Sequence, residues 1–218
     1  SIGLNSDDWS APFKLMADID MGAYTGTTYN IIGDSTTAFT GVFDGDGHTL
    51  NKVTMSQPAR NGVGLFGIMG SGGYISRVCI KNGSVTGNAW VGILCGRNYY
   101  GTITQCNTGG TVTGNADNIG GLCGESWGPI SQCYATGTVA GGSHDNVGGL
   151  CGANRYTTIT QCYATSAVTG RSYVGGLCGG NELGTITQSY CTGAVTATSN
   201  VGGLCGYNYS GTVAACFW

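Results

Sequence analysis

The sequence predicts an all-β protein, a three-faced parallel β-solenoid with about 27–28 residues in each coil. Three observations predict this fold class. Glycine occupies 42 of the 218 positions and charged residues make up only 9%, whereas a helical bundle would need many more Ala, Glu, Lys and Leu residues. A short glycine-rich string recurs at an almost constant spacing. Between its copies, the chain contains only short β-type segments.

The recurring string is Val-Gly-Gly-Leu-Cys-Gly, present at 147–152, 174–179 and 201–206, with variants at 91–96 and 119–124 and a shorter form at 63–67. Its leucines keep an almost constant spacing along the chain: Leu94, Leu122, Leu150, Leu177 and Leu204. A constant period of this length fits one turn of a solenoid, in which successive turns stack at about 4.8 Å. A sandwich of irregular antiparallel strands, the structural alternative, would not need so constant a period.

Each unit contains three β-type segments, in which side chains alternate between two kinds. In residues 133–139, one set of alternate positions holds Cys, Ala, Gly and Val, and the other set holds Tyr, Thr and Thr. The first set suits a narrow interior, and the second suits a strand face in water. We expect glycine to turn the corners between faces, because it accepts positive φ and close backbone approach.

Residues 1–62 lack the Leu-Cys-Gly signature but are still strand-like. Phe13–Met21 alternates partly, and Phe39–Val53 is typical of a strand, a turn at Asp44-Gly45-Asp46-Gly47 and a second strand. We interpret 1–62 as an N-terminal cap with the first divergent coils, and 63–218 as repeat coils of the same solenoid. Terminal repeats are expected to be atypical, because they close an open edge.

The repeat units resemble the GLUG-motif repeats of bacterial surface and secreted proteins. The resemblance is carried by the Gly-Leu-x-Gly core and by the segment that follows it, such as Gly-Thr-Ile-Thr-Gln-Cys at 101–106, and it covers residues 63–218. The leader resembles the start of right-handed parallel β-helices of the pectin-lyase type. The resemblance implies a β-helix in an extracellular or cell-surface protein. This sequence departs from the common pattern in having Cys where Val is usual after the Leu.

Eleven cysteines are too many to be incidental, and ten of them are expected to point inward, two in each of five coils. The two members of a coil are close enough in the chain to permit five same-coil disulfides: Cys95–Cys106, Cys123–Cys133, Cys151–Cys162, Cys178–Cys191 and Cys205–Cys216. An oxidising compartment favours these bridges. The alternative is two columns of reduced thiols that act as small apolar side chains. Cys79 is left over and is expected to face outward, as an intermolecular crosslink or a free thiol.

Few residues suit metal binding or catalysis. There is no Cys-x-x-Cys and there are only two histidines, so we expect no cofactor and no transition-metal site. Asp44 and Asp46 are the one candidate Ca²⁺ site, although the same string forms tight turns. No carboxylate pair is expected on a strand face, so we predict that the chain is not an enzyme; the acids after residue 91 are expected at corners: Asp117, Glu125, Asp145 and Glu182.

Two sets of outward side chains are candidates for ligand binding. Tyr134, Tyr163 and Tyr190 align in one column, and Thr-x-Thr strings recur at 102–104, 158–160 and 185–187. Such columns are typical of surfaces that bind glycans, partner proteins or ice. They also stabilise stacked strands without any ligand.

The function that these observations favour is structural: a non-catalytic, extracellular stalk, adhesin segment or fibre subunit. A net charge of −3 gives no basic surface for nucleic acid. No apolar run approaches the ~18 residues of a membrane helix, so no membrane insertion is expected, and residues 1–8 lack the pattern of a signal peptide. Phe217 and Trp218 in the last coil are expected to form an edge for head-to-tail self-association. The alternative function is a binding module for surface glycans or ice.

Overall fold

The computed structural model describes residues 2–24 and 30–218, which form two 3₁₀ turns and 28 strands. The turns are Ile2–Leu4 and Ser6–Asp8. The strands, β1 to β28 in chain order, form four sheets whose paired strands run parallel. No helix in the described ranges has the length and apolar character needed to cross a bilayer. This is the predicted β-solenoid, and the fold class is confirmed.

Sheet A has eight strands, one from each successive turn of the chain, and they neighbour one another in sequence order. Its strands are β1 (Pro12–Lys14), β3 (Val42–Asp44), β7 (Tyr74–Ser76), β10 (Thr102–Thr104), β14 (Ile130–Ser131), β18 (Thr158–Thr160), β23 (Thr185–Thr187) and β28 (Thr212–Ala214). Order in space thus follows order in the chain, as expected when each coil adds one rung.

Sheet B follows sheet A along each coil and has ten strands. They are β2 (Ile19–Asp20), β4 (Thr49–Asn51), β5 (Thr54–Ser56), β8 (Cys79–Gly87), β11 (Asn107–Gly114), β15 (Tyr134–Ala140), β19 (Tyr163–Ala164), β20 (Ala167–Gly170), β24 (Tyr190–Cys191) and β25 (Val195–Ala197). The long strand β15 pairs with both β19 and β20, because a break at 165–166 divides the next rung into two pieces.

Sheets C and D share the repeat signature, which therefore contributes two strands to a coil rather than one. Sheet C contains β6 (Phe66–Met69), β9 (Cys95–Asn98), β13 (Cys123–Ser126), β17 (Cys151–Arg155), β22 (Cys178–Glu182) and β27 (Cys205–Tyr209). Sheet D contains β12 (Ile119–Gly120), β16 (Asp145–Gly148), β21 (Ser172–Gly175) and β26 (Val201–Gly202). The later coils thus contribute strands to four sheets, where the sequence predicts three segments.

The glycine pair inside the signature allows this extra bend because successive coils approach closely there. A Cβ atom on Gly149 would collide with the carbonyl oxygen of Gly176 in the next coil, and one on Gly176 would collide with that of Gly203. At this bend, glycine is needed for space rather than for positive φ.

The corner between sheets A and B differs from expectation, because glutamine rather than glycine adopts the left-handed backbone conformation there. The φ angles are 54°, 54°, 53° and 50° at Gln105, Gln132, Gln161 and Gln188. Each backbone N–H is paired across coils; that of Gln132, for example, donates to the carbonyl of Thr160 at 3.1 Å. Regular pairing between coils offsets the modest cost of this conformation.

The core consists of columns of equivalent side chains that run along the solenoid. One column in sheet A continues in register through Ile75, Ile103, Ile130, Ile159 and Ile186, all of which are fully buried. The strands from 12 to 56 join the same sheets in register, with Phe13 beside Phe43 and Phe43 beside Ile75. Strands β1 to β5 therefore form the first turns of the same solenoid.

Candidate functional site

The cysteine side chains form two columns along the axis. The first column follows the register of sheet C through Cys95, Cys123, Cys151, Cys178 and Cys205. In the second column, the backbone N–H of Cys106 donates to Sγ of Cys133 at 3.3 Å, and that of Cys133 donates to Sγ of Cys162 at 3.4 Å. Ser189 takes the next place, and its Oγ accepts from the N–H of Cys162 at 3.1 Å.

All eleven cysteines are free thiols in the structure. The five same-coil bridges expected from the sequence are absent from it: Cys95–Cys106, Cys123–Cys133, Cys151–Cys162, Cys178–Cys191 and Cys205–Cys216. The thiols of one coil instead contact carbonyl groups of their own chain segments. Cys123 Sγ donates to the Glu125 carbonyl at 3.2 Å, and Cys133 Sγ donates to that of Ser131 at 3.1 Å. Cys191 is buried in register with Ala164, outside both columns.

Burial makes three of the thiols, those of Cys95, Cys133 and Cys191, poor nucleophiles. It is the main cause that raises the pKa of Cys95 and of Cys133 well above the ordinary thiol value, and it raises the pKa of Cys191 to about 11. The thiolate is the reactive form of cysteine. At neutral pH these groups are therefore small apolar fillers of a narrow core.

A further column of side chains, which was not expected from the sequence, consists of buried amides. Asn154 Nδ2 donates to Oδ1 of Asn181 at 2.7 Å, and Asn181 Nδ2 donates to Oδ1 of Asn208 at 2.7 Å and to the carbonyl of Gly184 at 3.1 Å. Asn98 occupies the same place in an earlier coil, where Nδ2 donates to Oγ of Ser126 at 3.0 Å. A signal was present: Asn or Ser stands at the third position after each signature cysteine from Cys95 onward.

The outward tyrosine column forms a tight stack. The ring centroids of Tyr134 and Tyr163 are 4.6 Å apart at an interplanar angle of 8°, and those of Tyr163 and Tyr190 are 5.0 Å apart at 7°. Phe217 bridges to Tyr190 on the next rung. Each ring face of Tyr163 is thus covered by a neighbouring ring, so this column offers ring edges rather than faces to a ligand.

Cys79 lies in an earlier rung of the same outward column, beside Thr49 and Asn107, and is half-buried. Its use in an intermolecular crosslink stays a prediction. Phe217 and Trp218 are strongly exposed. Both side chains lie on the last described rung.

The threonines form shorter columns on sheet A. Thr158 lies beside Thr185, and Thr160 lies beside Thr187. Ser131 takes the place of threonine on the neighbouring rung, where its Oγ donates to Oγ1 of Thr104 at 2.9 Å. The regular threonine surface therefore spans two adjacent coils before it changes.

The Asp44–Asp46 turn is held by cations of the protein itself. Arg77 Nε donates to Asp44 Oδ1 at 3.0 Å and its Nη1 lies 3.1 Å from Asp46, whose carboxylate also pairs with Lys14 Nζ at 2.8 Å. The hydrogen bond from Arg77 is the main cause that holds the pKa of Asp44 below its usual value. Within 2–24 and 30–218, no three His, Cys, Asp or Glu side chains group as metal ligands. The two carboxylates thus belong to a charge cluster that links coils.

A row of charged side chains crosses sheet C, which corrects the expectation that Glu125 and Glu182 lie at corners. Both lie in strands, β13 and β22, and Arg155 bridges them, with its Nε donating to Glu125 Oε1 at 2.6 Å and its Nη1 paired with Glu182. Arg97 Nε lies 2.6 Å from the other Glu125 oxygen. Glu125 is almost completely buried, and the two guanidinium groups compensate its charge.

Comparisons with known proteins agree with this architecture. Residues 143–169, one complete coil, match the GLUG motif. Over 119 residues the chain is 38% identical to "Halomucin" of Haloquadratum walsbyi, a match that covers 50% of this chain and 1% of that protein. Over 93 residues it is 35% identical to a "Putative Gly-rich membrane protein" of Evansella cellulosilytica, which covers 40% of this chain and 11% of that protein.

A solved structure shows the same fold. The crystal structure of a putative immunoglobulin A1 protease from Bacteroides ovatus superposes with a TM-score of 0.61 at 19% identity, over 94% of this chain and 77% of that one. At this identity the similarity concerns the fold alone. The chain is thus a β-solenoid built from repeated units, one of which carries the GLUG motif that the sequence resembles.

Proposed function

We propose that this chain is a non-catalytic structural segment of an extracellular or cell-surface protein. The observation that carries the proposal is that its repeated side chains make contacts between successive coils. Amides, thiols, isoleucines and tyrosines each continue from rung to rung. Such a chain gains length and stability with each added coil, as a stalk, adhesin segment or fibre subunit requires.

The state of the carboxylates supports a non-catalytic role. Glu125, Glu182, Asp44 and Asp46 each pair with an arginine or a lysine. A general acid at neutral pH needs a raised pKa, whereas a cation beside a carboxylate lowers it. Hydrogen bonds from Arg77 and Lys14 lower the pKa of Asp44 and Asp46, respectively, so these two side chains serve as links between coils rather than as proton donors.

The relatives support the surface location. One is named a mucin and the other a membrane protein, and this chain matches only a small part of each. Antibody raised against the chain, applied to cells that make the whole protein, tests the location. Labelling of intact cells is the expected result, and labelling only after permeabilisation would contradict it.

Stalk and fibre forms differ in their assembly. Electron microscopy of the purified chain separates them, because a stalk segment gives uniform short rods and a fibre subunit that associates end to end gives filaments of many chain lengths. Adhesion is measured separately, as retention of the labelled chain by host or neighbouring cells.

The alternative function, binding of ice or glycans by the tyrosine and threonine columns, has narrower support. Thr158, Thr160, Thr185 and Thr187 form two matched pairs across adjacent coils, and thermal hysteresis measures whether this area binds ice. The tyrosine rings cover one another, which suits stabilisation of the stack better than contact with a sugar.

A further inference from the structure

The first cysteine column places thiols at equivalent positions of five successive coils. Its members are each in parallel register with the next: Cys95, Cys123, Cys151, Cys178 and Cys205. The last four make the same contact, from Sγ to the backbone carbonyl two residues later, at 3.2, 3.3, 3.2 and 3.2 Å. These side chains therefore share one orientation, and successive Sγ atoms repeat at the coil spacing of about 4.8 Å.

The second cysteine column repeats this arrangement over three coils. Cys106, Cys133 and Cys162 each direct Sγ to the carbonyl two residues earlier, at 3.2, 3.1 and 3.2 Å. Ser189 ends the run, because its Oγ takes the place of the next sulfur and donates to the Thr187 carbonyl at 2.8 Å. The protein thus contains one run of five sulfurs and one run of three, and all eight are buried or half-buried.

The spacing of the sulfurs suits a two-coordinate metal ion. An ion midway between two neighbouring sulfurs would lie about 2.4 Å from each, close to the ~2.3 Å of a zinc–thiolate bond. The two sulfurs would bind it from opposite sides, which is the linear geometry that soft ions with a filled d shell accept. Zinc needs four ligands, and within 2–24 and 30–218 no three metal-binding side chains group together.

Burial selects the charge of such an ion. When two thiols bind it, two S–H bonds break, two metal–sulfur bonds form, and two protons leave for the solvent. A divalent ion gives a neutral unit, whereas Cu(I) or Ag(I) leaves a negative charge in an apolar core, which is costly. Cys178 gives up its proton more readily than an isolated buried thiol, because hydrogen bonds from Cys151 and Cys205 hold its pKa well below the ordinary value.

From this geometry we propose that the two cysteine columns bind Hg(II), with each ion held linearly by two thiolates of adjacent coils. The bonds of sulfur are bent, so one thiolate does not hold a second ion on the opposite side along the axis. Five sulfurs therefore hold two ions, and three sulfurs hold one. Each ion links two coils that are one repeat apart in the chain, and its binding energy adds to the stability of the folded state.

Native mass spectrometry of the full chain, reduced and kept under nitrogen, tests the proposal. Excess HgCl₂ is added to the folded chain, and glutathione then removes ions that are bound to single thiols. We expect three retained ions, each with the loss of two protons. Three ions engage six of the eleven thiols, so Ellman's reagent in denaturant should count five free thiols. ZnCl₂ under the same treatment should leave no ion bound.

Cys133→Ser should lower the number of retained ions from three to two, because it leaves Cys106 and Cys162 without a neighbouring sulfur. The number of free thiols should then rise from five to six, although the variant has one cysteine fewer. Serine fits this column, as Ser189 shows. Cys79→Ser is the matched control, since Cys79 lies in the outward column of sheet B, and three ions should remain.

Cys178→Ser, in the first column, should also remove one ion, and it decides if Cys133→Ser fails to fold. Circular dichroism and thermal unfolding of each variant verify that the solenoid is intact. No retained mercury, retention of zinc, the loss of only one proton for each ion, or three ions still bound in both column variants would each overturn the proposal.

Discussion

The first coils and the repeat coils are held together by different means within one solenoid. In the first coils, Phe39 and Phe43 pack against Phe66 with ring centroids 4.9 and 5.2 Å apart. The coils there contain more residues and differ in length, as the spacing of the equivalent positions Phe13, Phe43 and Ile75 shows. In the repeat coils, aliphatic side chains and thiols fill the core, and each coil contains fewer residues, as between Ile159 and Ile186.

Connections between coils differ in the same way. Exposed ion pairs link the first coils, with Arg77 to Asp44 and Lys52 to Asp20. Buried amides link the repeat coils. The comparison teaches that a regular repeat needs side chains that fit identical neighbours, whereas divergent coils can use larger side chains that fill irregular space. Four predictions test this contrast, from the largest effect to the smallest.

Phe66→Ala should have the largest effect, a loss of about 3–5 kcal/mol of unfolding free energy. Phe66 is fully buried at the centre of the aromatic cluster, so its removal leaves a cavity that neighbouring coils cannot fill. Chemical denaturation measures the loss. Phe13→Ala is the control, because Phe13 is only partly buried and its removal should cost clearly less unfolding free energy. Equal losses would contradict the central place of Phe66 in the aromatic cluster.

Asn181→Ala should cost about 2 kcal/mol, because it removes two hydrogen bonds of the column and leaves one N–H of the buried Asn154 amide without an acceptor. Asn208→Ala provides the comparison in the same column. Asn208 is exposed, so water replaces its lost bonds and the expected cost is smaller. If denaturation gives the two variants equal stability, the amide column contributes less than the structure indicates.

Cys151→Ala should cost about 1 kcal/mol, as a small cavity in a close-packed core does. Cys162→Ala, in the other column, should behave similarly, and the double variant should lose the sum of both. Loss of a disulfide would instead cost about 2–5 kcal/mol in either single variant, with little further loss in the double variant. Denaturation without reductant distinguishes these results.

Asp44→Asn should have the smallest effect, below about 1 kcal/mol at neutral pH, because its partner Arg77 is largely exposed. The Arg77 guanidinium lowers the folded-state pKa of Asp44, so the pair stabilises the fold above the unfolded carboxyl pKa of about 3.9. That contribution disappears as the pH falls through the folded-state pKa. Thermal unfolding of wild type and variant should therefore converge in acid; a difference that grows there would be inconsistent with the ion pair.

The solenoid could be predicted because its repeat period is directly visible in the sequence. The spacing of Leu94, Leu122 and the later leucines fixes one coil per repeat, and the alternation in 133–139 gives the inward face. The tyrosine column followed from the same register. These features depend on equivalent positions in successive coils, which a sequence shows without coordinates.

Side-chain separations and close approaches of the backbone could not be predicted in the same way. The alternation of side chains along the strands indicates that Cys151 and Cys162 both point inward. It gives neither their separation nor the direction of each Sγ across the core. The bend at Gly149 depends on close approach of the next coil, and the row from Arg97 through Glu125 to Arg155 depends on long side chains that reach across rungs. The amide column was predictable in principle, since Asn154, Asn181 and Asn208 keep the repeat spacing.

The central claim is that coils stack in register and place most of their cysteines in two separate columns. A crystal of the chain, grown without reductant and measured at long wavelength, would show the sulfur positions directly in an anomalous difference map. We expect one row of single peaks from Cys95 to Cys205 and a second from Cys106 to Cys162, with successive peaks about 4.8 Å apart along the axis, and separate peaks for Cys79 and Cys191. Five close pairs of sulfur peaks at bonding distance, or sulfurs of these two columns that follow no axial row, would contradict the account.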